Sequence, residues 1–140
     1  MEWKEALPLL HENHTGVAIS VTPKGRAQAT VVSTAVLDGK VGFASRPHTV
    51  KLKNIQRTGR AAVTVIKLDT RRYVTVEGAA SIEPWQDTPV HIKRLKDLYA
   101  AMGRAPKGSD EEFAKQMRDE ERSIVLVTPE RLYGSLRSGG

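Results

Sequence analysis

The chain contains no cysteine in 140 residues. That excludes a disulfide framework, thiolate chemistry and cysteine-ligated zinc. Aromatic residues make up only 5% of it, too few for the interleaved stacking platforms that single-stranded nucleic acids use. No apolar run approaches the roughly 20 residues that a membrane helix needs. The opening MEWKEALPLL starts acidic and is expected not to be a secretory signal. Motifs are also missing. There is no G-x-S-x-G nucleophile elbow, no G-x-G-x-x-G and no phosphate loop, so hydrolase, Rossmann and ATPase readings have no support. The expectation is a cytoplasmic protein of one domain, 1–140, with no membrane and no nucleic-acid partner. A hydrophobic content of 39% is enough to build one core.

Acid is scarce in one place. Between Lys40 and Arg72 stand nine Lys and Arg but a single acidic residue, Asp69. The segment carries +8 while the whole chain carries +6, so the remainder sums to −2. Charge concentrated in this way points to an anionic ligand.

Periodicity gives the organisation. Trp3, Leu7, Leu9 and Leu10 form one face of a helix within 1–14. Val17, Ile19 and Val21 then alternate with polar or small residues, as in a half-buried strand. Pro23–Arg26 reads as a turn, Ala27–Leu37 as a long strand, and Asp38-Gly39 as a second tight turn before the strand Val41–Ser45. Thr49–Arg57 reads as a helix capped by Thr49 and stopped by Gly59. Ala61–Leu68 and Tyr73–Ile82 form a hairpin about Asp69-Thr70. Helices follow over Pro89–Met102 and Asp110–Glu121, joined by a loop over 104–109. One last strand runs from Ile124 toward Tyr133, and 135–140 is a polar tail. His91 is placed on the helix surface, and Trp85 over the barrel edge. Six strands in sequential hairpins suit a mainly β fold with flanking helices, an antiparallel barrel that leaves few free edges.

The chemistry concentrates where a strand ends and a helix begins. Ser45, Thr49 and Lys51 bring hydroxyls and a cation to a helix N-terminus, whose free N–H groups favour anions. Two readings of this trio are open. It is a phosphate seat, with His48 beside it, or Thr49 only caps the helix while Lys51 and Lys53 face water. His11 and His14 lack a third ligand nearby and read as a solvated helix end rather than a metal site.

Several stretches together resemble the pyridoxamine phosphate oxidase-like split β-barrel family, in particular its small F420-dependent oxidoreductases. These are Gly25–Gln28, Phe43–Ser45, Lys51–Ile55, Val76–Ala80 and Thr128–Gly134. The resemblance covers nearly the whole chain, about 15–134. It implies a six-stranded antiparallel split barrel, and a homodimer with cofactor sites at the interface. It implies coenzyme F420, a deazaflavin, as cofactor, with FMN as the alternative. In this pattern Ser45, Thr49 and Lys51 hold the phosphate, Val50 is counted with the cofactor-binding residues, and Asn54 supports the loop; Arg46, Lys53, Arg57, Arg71 and Arg72 are the candidates for the carboxylate tail of the deazaflavin. Gln28, Ala29, Thr30 and Val31 lie along the ring, and Arg71 and Tyr73 reach in from the second subunit. The chain departs from many deazaflavin-binding relatives at Thr49, where they carry a basic residue, and at Arg71, where an aromatic is common. The expected substrate is a small molecule with an activated double bond, with no catalytic acid or base from the protein. Two alternatives are a non-catalytic flavin or tetrapyrrole carrier of this fold and, more remotely, a nucleic-acid-binding barrel, which the basic pI near 9.8 permits.

Overall fold

The computed structural model describes residues 1–104 and 106–137. In chain order the elements are α1 (Trp3–Glu12), β1 (Thr15–Val21), β2 (Ala27–Ser33), β3 (Ala35–Leu37), β4 (Lys40–Ser45), α2 (Val50–Thr58), β5 (Arg60–Lys67), β6 (Arg72–Glu83), α3 (Pro89–Ala101), α4 (Asp110–Glu120), β7 (Ser123–Val127) and β8 (Arg131–Ser135). All pairings are antiparallel, in the order β2-β1-β5-β6-β7-β4-β3, with β8 also on β6. The result is a strongly curled sheet, the split barrel expected from the sequence.

Two of the six expected strands are each divided in two. The long second strand breaks at Thr34, where pairing passes from β1 to β4. His14 fixes that corner. Its carbonyl accepts from the Thr34 N–H at 2.8 Å, and its Nδ1 lies 2.9 Å from the Thr34 carbonyl. This histidine holds backbone rather than solvent. The last strand breaks at Pro129, which has no N–H to offer a ladder. β7 pairs with β4 and the second half of β6, whereas β8 pairs with the first half of β6. The long β6 therefore joins the two halves of the barrel.

Two apolar clusters follow from strand alternation. Phe43, Val63, Val65, Val74, Val76, Val125 and Val127 fill the barrel, closed by Leu10 of α1 and Ile55 of α2. Leu95, Leu98, Phe113 and Met117 bring α3 and α4 against Ile124 and Leu126 of β7. β7 has cores on both faces, which explains why all five of its residues are buried. His91 is not on the surface but buried at 6% exposure. Its ring meets Trp85 edge-on, and its Nε2 lies 2.9 Å from the Arg122 carbonyl. Periodicity misplaces it because α3 is gripped on a second side by the Trp85 segment. Arg94 completes that grip through charge-assisted bonds of 2.7 Å to Glu83 and Asp38. Both carboxylates hold its guanidinium protonated beyond the ordinary arginine range.

Of the expected polar tail, Ser135 ends β8 and Leu136 packs on the barrel core; residues 138–140 lie outside the described residues. Ala105, in the expected loop, also lies outside them. Among the described residues no helix is long and apolar enough to cross a membrane, and no group of three or more His, Cys, Asp or Glu is placed to hold a metal.

Candidate functional site

The site forms where β4 ends and α2 begins. Thr49 is the N-cap, its Oγ1 accepting from the Leu52 N–H at 3.3 Å. The Ser45 hydroxyl, 1% exposed, donates to the Arg46 carbonyl at 3.0 Å and shares a 2.9 Å bond with Thr49 Oγ1. Both hydroxyls are thus engaged in shaping the turn. His48, at φ 65, bends the chain into the helix. What remains for an anion is the side chain of Lys51 and the free N–H groups of the first helical turn, those of Val50 and Lys51.

Lys51 has unusual surroundings. The residue is only 9% exposed, yet among the described residues it forms no ion pair with an acid. Burial pushes its ammonium below the ordinary lysine range, and Arg122 pushes it further the same way. A desolvated cation beside a like charge is costly unless an anion completes it. It borders a cavity of about 320 Å³, shared with Val31, Arg46, Thr49, Tyr99, Arg104 and Arg122.

Register explains this assembly. Ser45 pairs with Ser123 across β4 and β7, which sets Arg46 next to Arg122. Glu120, at the end of α4, lies between them, 3.7 Å from Arg46 and 3.0 Å from Arg122. Tyr99, Met102 and Arg104 arrive from the end of α3. Burial pushes the Tyr99 phenol up, and the nearby arginines oppose that push.

Of the residues singled out in the sequence, the fold brings together Val31, Arg46, Thr49 and Lys51 around the cavity, with Ser45 behind the turn. Gln28 and Thr30 face the other way on β2. Gln28 donates to Thr30 at 2.8 Å and accepts from Ser20 at 3.3 Å. Asn54, 2% exposed, donates to Ser20 at 3.1 Å and accepts from Arg57 at 3.1 Å, so it ties α2 to β1. Arg57 also donates to the Val21 carbonyl, which fixes it in the scaffold. Ala29 and Val31 lie on the exposed face of β2, and Val50 is exposed at the start of α2. Arg71 and Tyr73, at the β5–β6 turn, line no part of this chain's cavity. Sequence reasoning missed Tyr99, Met102, Arg104, Glu120 and Arg122. The pairing of the Ser45 strand end with the Ser123 strand start is the signal that finds Arg122.

Anion affinity here is expected to fall in the alkaline range sooner than an ordinary lysine allows, because the bound state needs Lys51 charged. Phosphate titrations at rising pH check this. Lys51→Arg is expected to flatten the fall, and the same fall in both proteins contradicts it. In the empty protein the sign reverses for stability. The unfolded chain keeps the Lys51 proton over a window below the ordinary lysine value where the folded chain has lost it. The burial penalty therefore fades, and stability rises, as pH climbs through that window.

Comparison with known proteins gives one family. Residues 3–135 match the family described as pyridoxamine 5'-phosphate oxidase. No curated protein matches the sequence significantly. Among solved structures, a conserved hypothetical protein from Mycobacterium tuberculosis aligns with TM-score 0.75 and 21% identity, over 100% of this chain and 93% of that one. A protein described as an F420 reductase aligns with TM-score 0.65 and 23% identity, over 90% and 94%. The heme storage protein from Vibrio cholerae aligns with TM-score 0.65 and 15% identity, over 94% and 92%. At these identities the likeness is one of fold.

Proposed function

We propose, for a chain that belongs to the pyridoxamine 5'-phosphate oxidase family, that it is an oxidoreductase that holds a flavin-type cofactor by its phosphate at Lys51. The observation that carries this reading is the largely buried Lys51 residue, without an acidic partner among the described residues, beside Arg122 at an open cavity. A phosphate fits it. The group would neutralise both cations, and the first-turn N–H groups of α2 would supply neutral donors to the same oxygens.

Coenzyme F420 is the favoured cofactor and FMN the alternative. Lys51, Arg46, Arg104 and Arg122 border the cavity, and among the described residues Glu120 is the acid paired with them, a formal surplus of +3 that exceeds the charge of about −2 on one phosphate monoester. A deazaflavin with a phosphodiester and a carboxylate tail matches that surplus better. Bound there, the cofactor supplies hydride chemistry. The chain's own part is to bind, orient and shield. Val31, 72% exposed and on the cavity lining, offers with Ala29 on the same strand face an apolar platform beside the seat. The same exposed face supports the proposal of a homodimer with its cofactor sites at the interface. The substrate in this reading is a small molecule with an activated double bond, and the setting is the cytoplasm.

An assay with reduced F420 and a panel of enones, quinones and tetrapyrroles tests the activity. Oxidation of the cofactor above background with at least one acceptor is expected. Tight cofactor binding with no turnover on any acceptor contradicts the enzyme reading and favours a carrier.

A further inference from the structure

We infer that a second compartment, bordered by Arg104, Lys107 and Arg122, is an anion subsite in its own right, and that the Glu120 carboxylate occupies its mouth as an internal competitor. The inference rests on the seating of a phosphate at Lys51 and says what else that ligand, or a reactant beside it, must carry.

The compartment has a volume of about 260 Å³. It shares Tyr99, Arg104 and Arg122 with the Lys51 cavity, so the two are neighbours across one wall. Lys107 and Gln116 belong to this side only. Three cations therefore face one carboxylate, and that carboxylate is already divided. Glu120 spans Arg46 at 3.7 Å and Arg122 at 3.0 Å, and its side chain is only 16% exposed. Arg104 and Lys107 form no ion pair with any described acid. A partly buried carboxylate bridging two guanidiniums does locally what a ligand carboxylate or phosphate would do. An incoming anion must displace it or share its cations, and like-charge contact with Glu120 opposes entry.

The compartment is also fixed from behind. Arg122 begins the turn into β7, and its carbonyl is held by buried His91. Phe113 meets Tyr99 edge-on at 6.0 Å and shapes the floor. This suits a compact, hydrogen-bonding anionic group, not an apolar one. The chemical class is a carboxylate or phosphate, present as a second group on the Lys51 ligand or on a separate reactant.

Residue-resolved NMR titration of the full chain with inorganic phosphate and with tripolyphosphate tests this. Phosphate is expected to shift two separate sets of signals, one around residues 49–52 and one around 104–122. Lys51→Met is expected to remove the first set, and the double variant Arg104→Ala with Lys107→Ala the second. Glu120→Gln is expected to tighten the second by about tenfold, since it keeps the shape and removes the competing charge. Tripolyphosphate binding much tighter than phosphate says that one ligand spans both compartments. Equal affinity, with both sets still shifting, says that the second serves a separate reactant. Signals around 104–122 that do not respond to phosphate, or a Glu120→Gln protein that binds no tighter, overturn the inference and leave the Lys51 seat standing. Loss of the first set alone from the wild-type response overturns the Lys51 reading instead.

Discussion

Lys51→Met is expected to weaken binding of phosphate-bearing ligands by about ten- to a hundredfold while leaving the fold intact or slightly firmer. A charge-assisted hydrogen bond contributes about 1.5–3 kcal/mol, which sets that range. The second half of the expectation is the more discriminating. Removing a buried lysine from an ion pair normally destabilises, because its acid is left stranded. Here no described acid pairs with Lys51, and the charge that acts on it is the like charge of Arg122. Met keeps the packed stem and removes the desolvated cation, so the melting temperature of the empty protein holds or rises. Calorimetric titration with thermal unfolding of both proteins checks the pair of effects. Lost stability with unchanged affinity would show that Lys51 is a packing residue and that the anion binds elsewhere.

Gly78→Ala is expected to be among the most damaging small substitutions in the chain. Gly78 sits on β6, opposite Ala61 of β5, just before β6 passes to its pairing with β7. The 128–130 segment crosses it there. The Thr128 N–H donates to the Ala79 carbonyl at 2.8 Å, and the Glu130 N–H to the Glu77 carbonyl at 3.1 Å. A Cβ on residue 78 would lie 2.0 Å from the Thr128 carbonyl oxygen and 2.9 Å from a Glu130 carboxylate oxygen. Alanine in a strand normally gains about 0.5–1 kcal/mol over glycine. Forced overlap with backbone costs about 1–3 kcal/mol or more, and backbone cannot step aside as a side chain can. The net loss is expected to be about 2 kcal/mol or larger, with the β7–β8 crossing displaced. Urea unfolding measures it. A variant as stable as the wild type would mean that the crossing segment is not held against β6.

Local signals proved the legible ones. Thr49 followed by an apolar-periodic stretch and Gly59 marks α2, and Thr49 is indeed the cap. Asp38-Gly39 marks a hairpin turn, and both residues take positive φ, 53 and 70, as such a turn requires. Lys51 was legible as part of a seat because it follows that cap by two residues. The remainder depends on distance along the chain. Arg122 lies 71 positions after Lys51, and only the register of β4 with β7 joins them. Within its own neighbourhood Arg122 is one charge in a mixed run, Asp119, Glu120, Glu121, Arg122, which reads as a solvated helix end. The basic segment over 40–72 had the opposite fault. It contains Arg46 and Lys51, which line the cavity, but also Arg57, which holds α2 to β1. Charge density along a sequence points to a surface; pairing decides which of its members share a site. The breaks at Thr34 and Pro129 were hidden for a similar reason. A strand that moves from one neighbour to another keeps its alternation and its β-branched residues, so nothing in its composition changes.

The central claim is that the Lys51 cavity seats the phosphate of a flavin-type cofactor. Paired titrations of the protein with oxidised coenzyme F420 and with FMN, read by quenching of tryptophan fluorescence, test it most directly. Saturable binding, tighter for F420 than for FMN and weakened for both by Lys51→Met, is the predicted result. Binding of neither cofactor, or binding that Lys51→Met leaves unchanged, would contradict it.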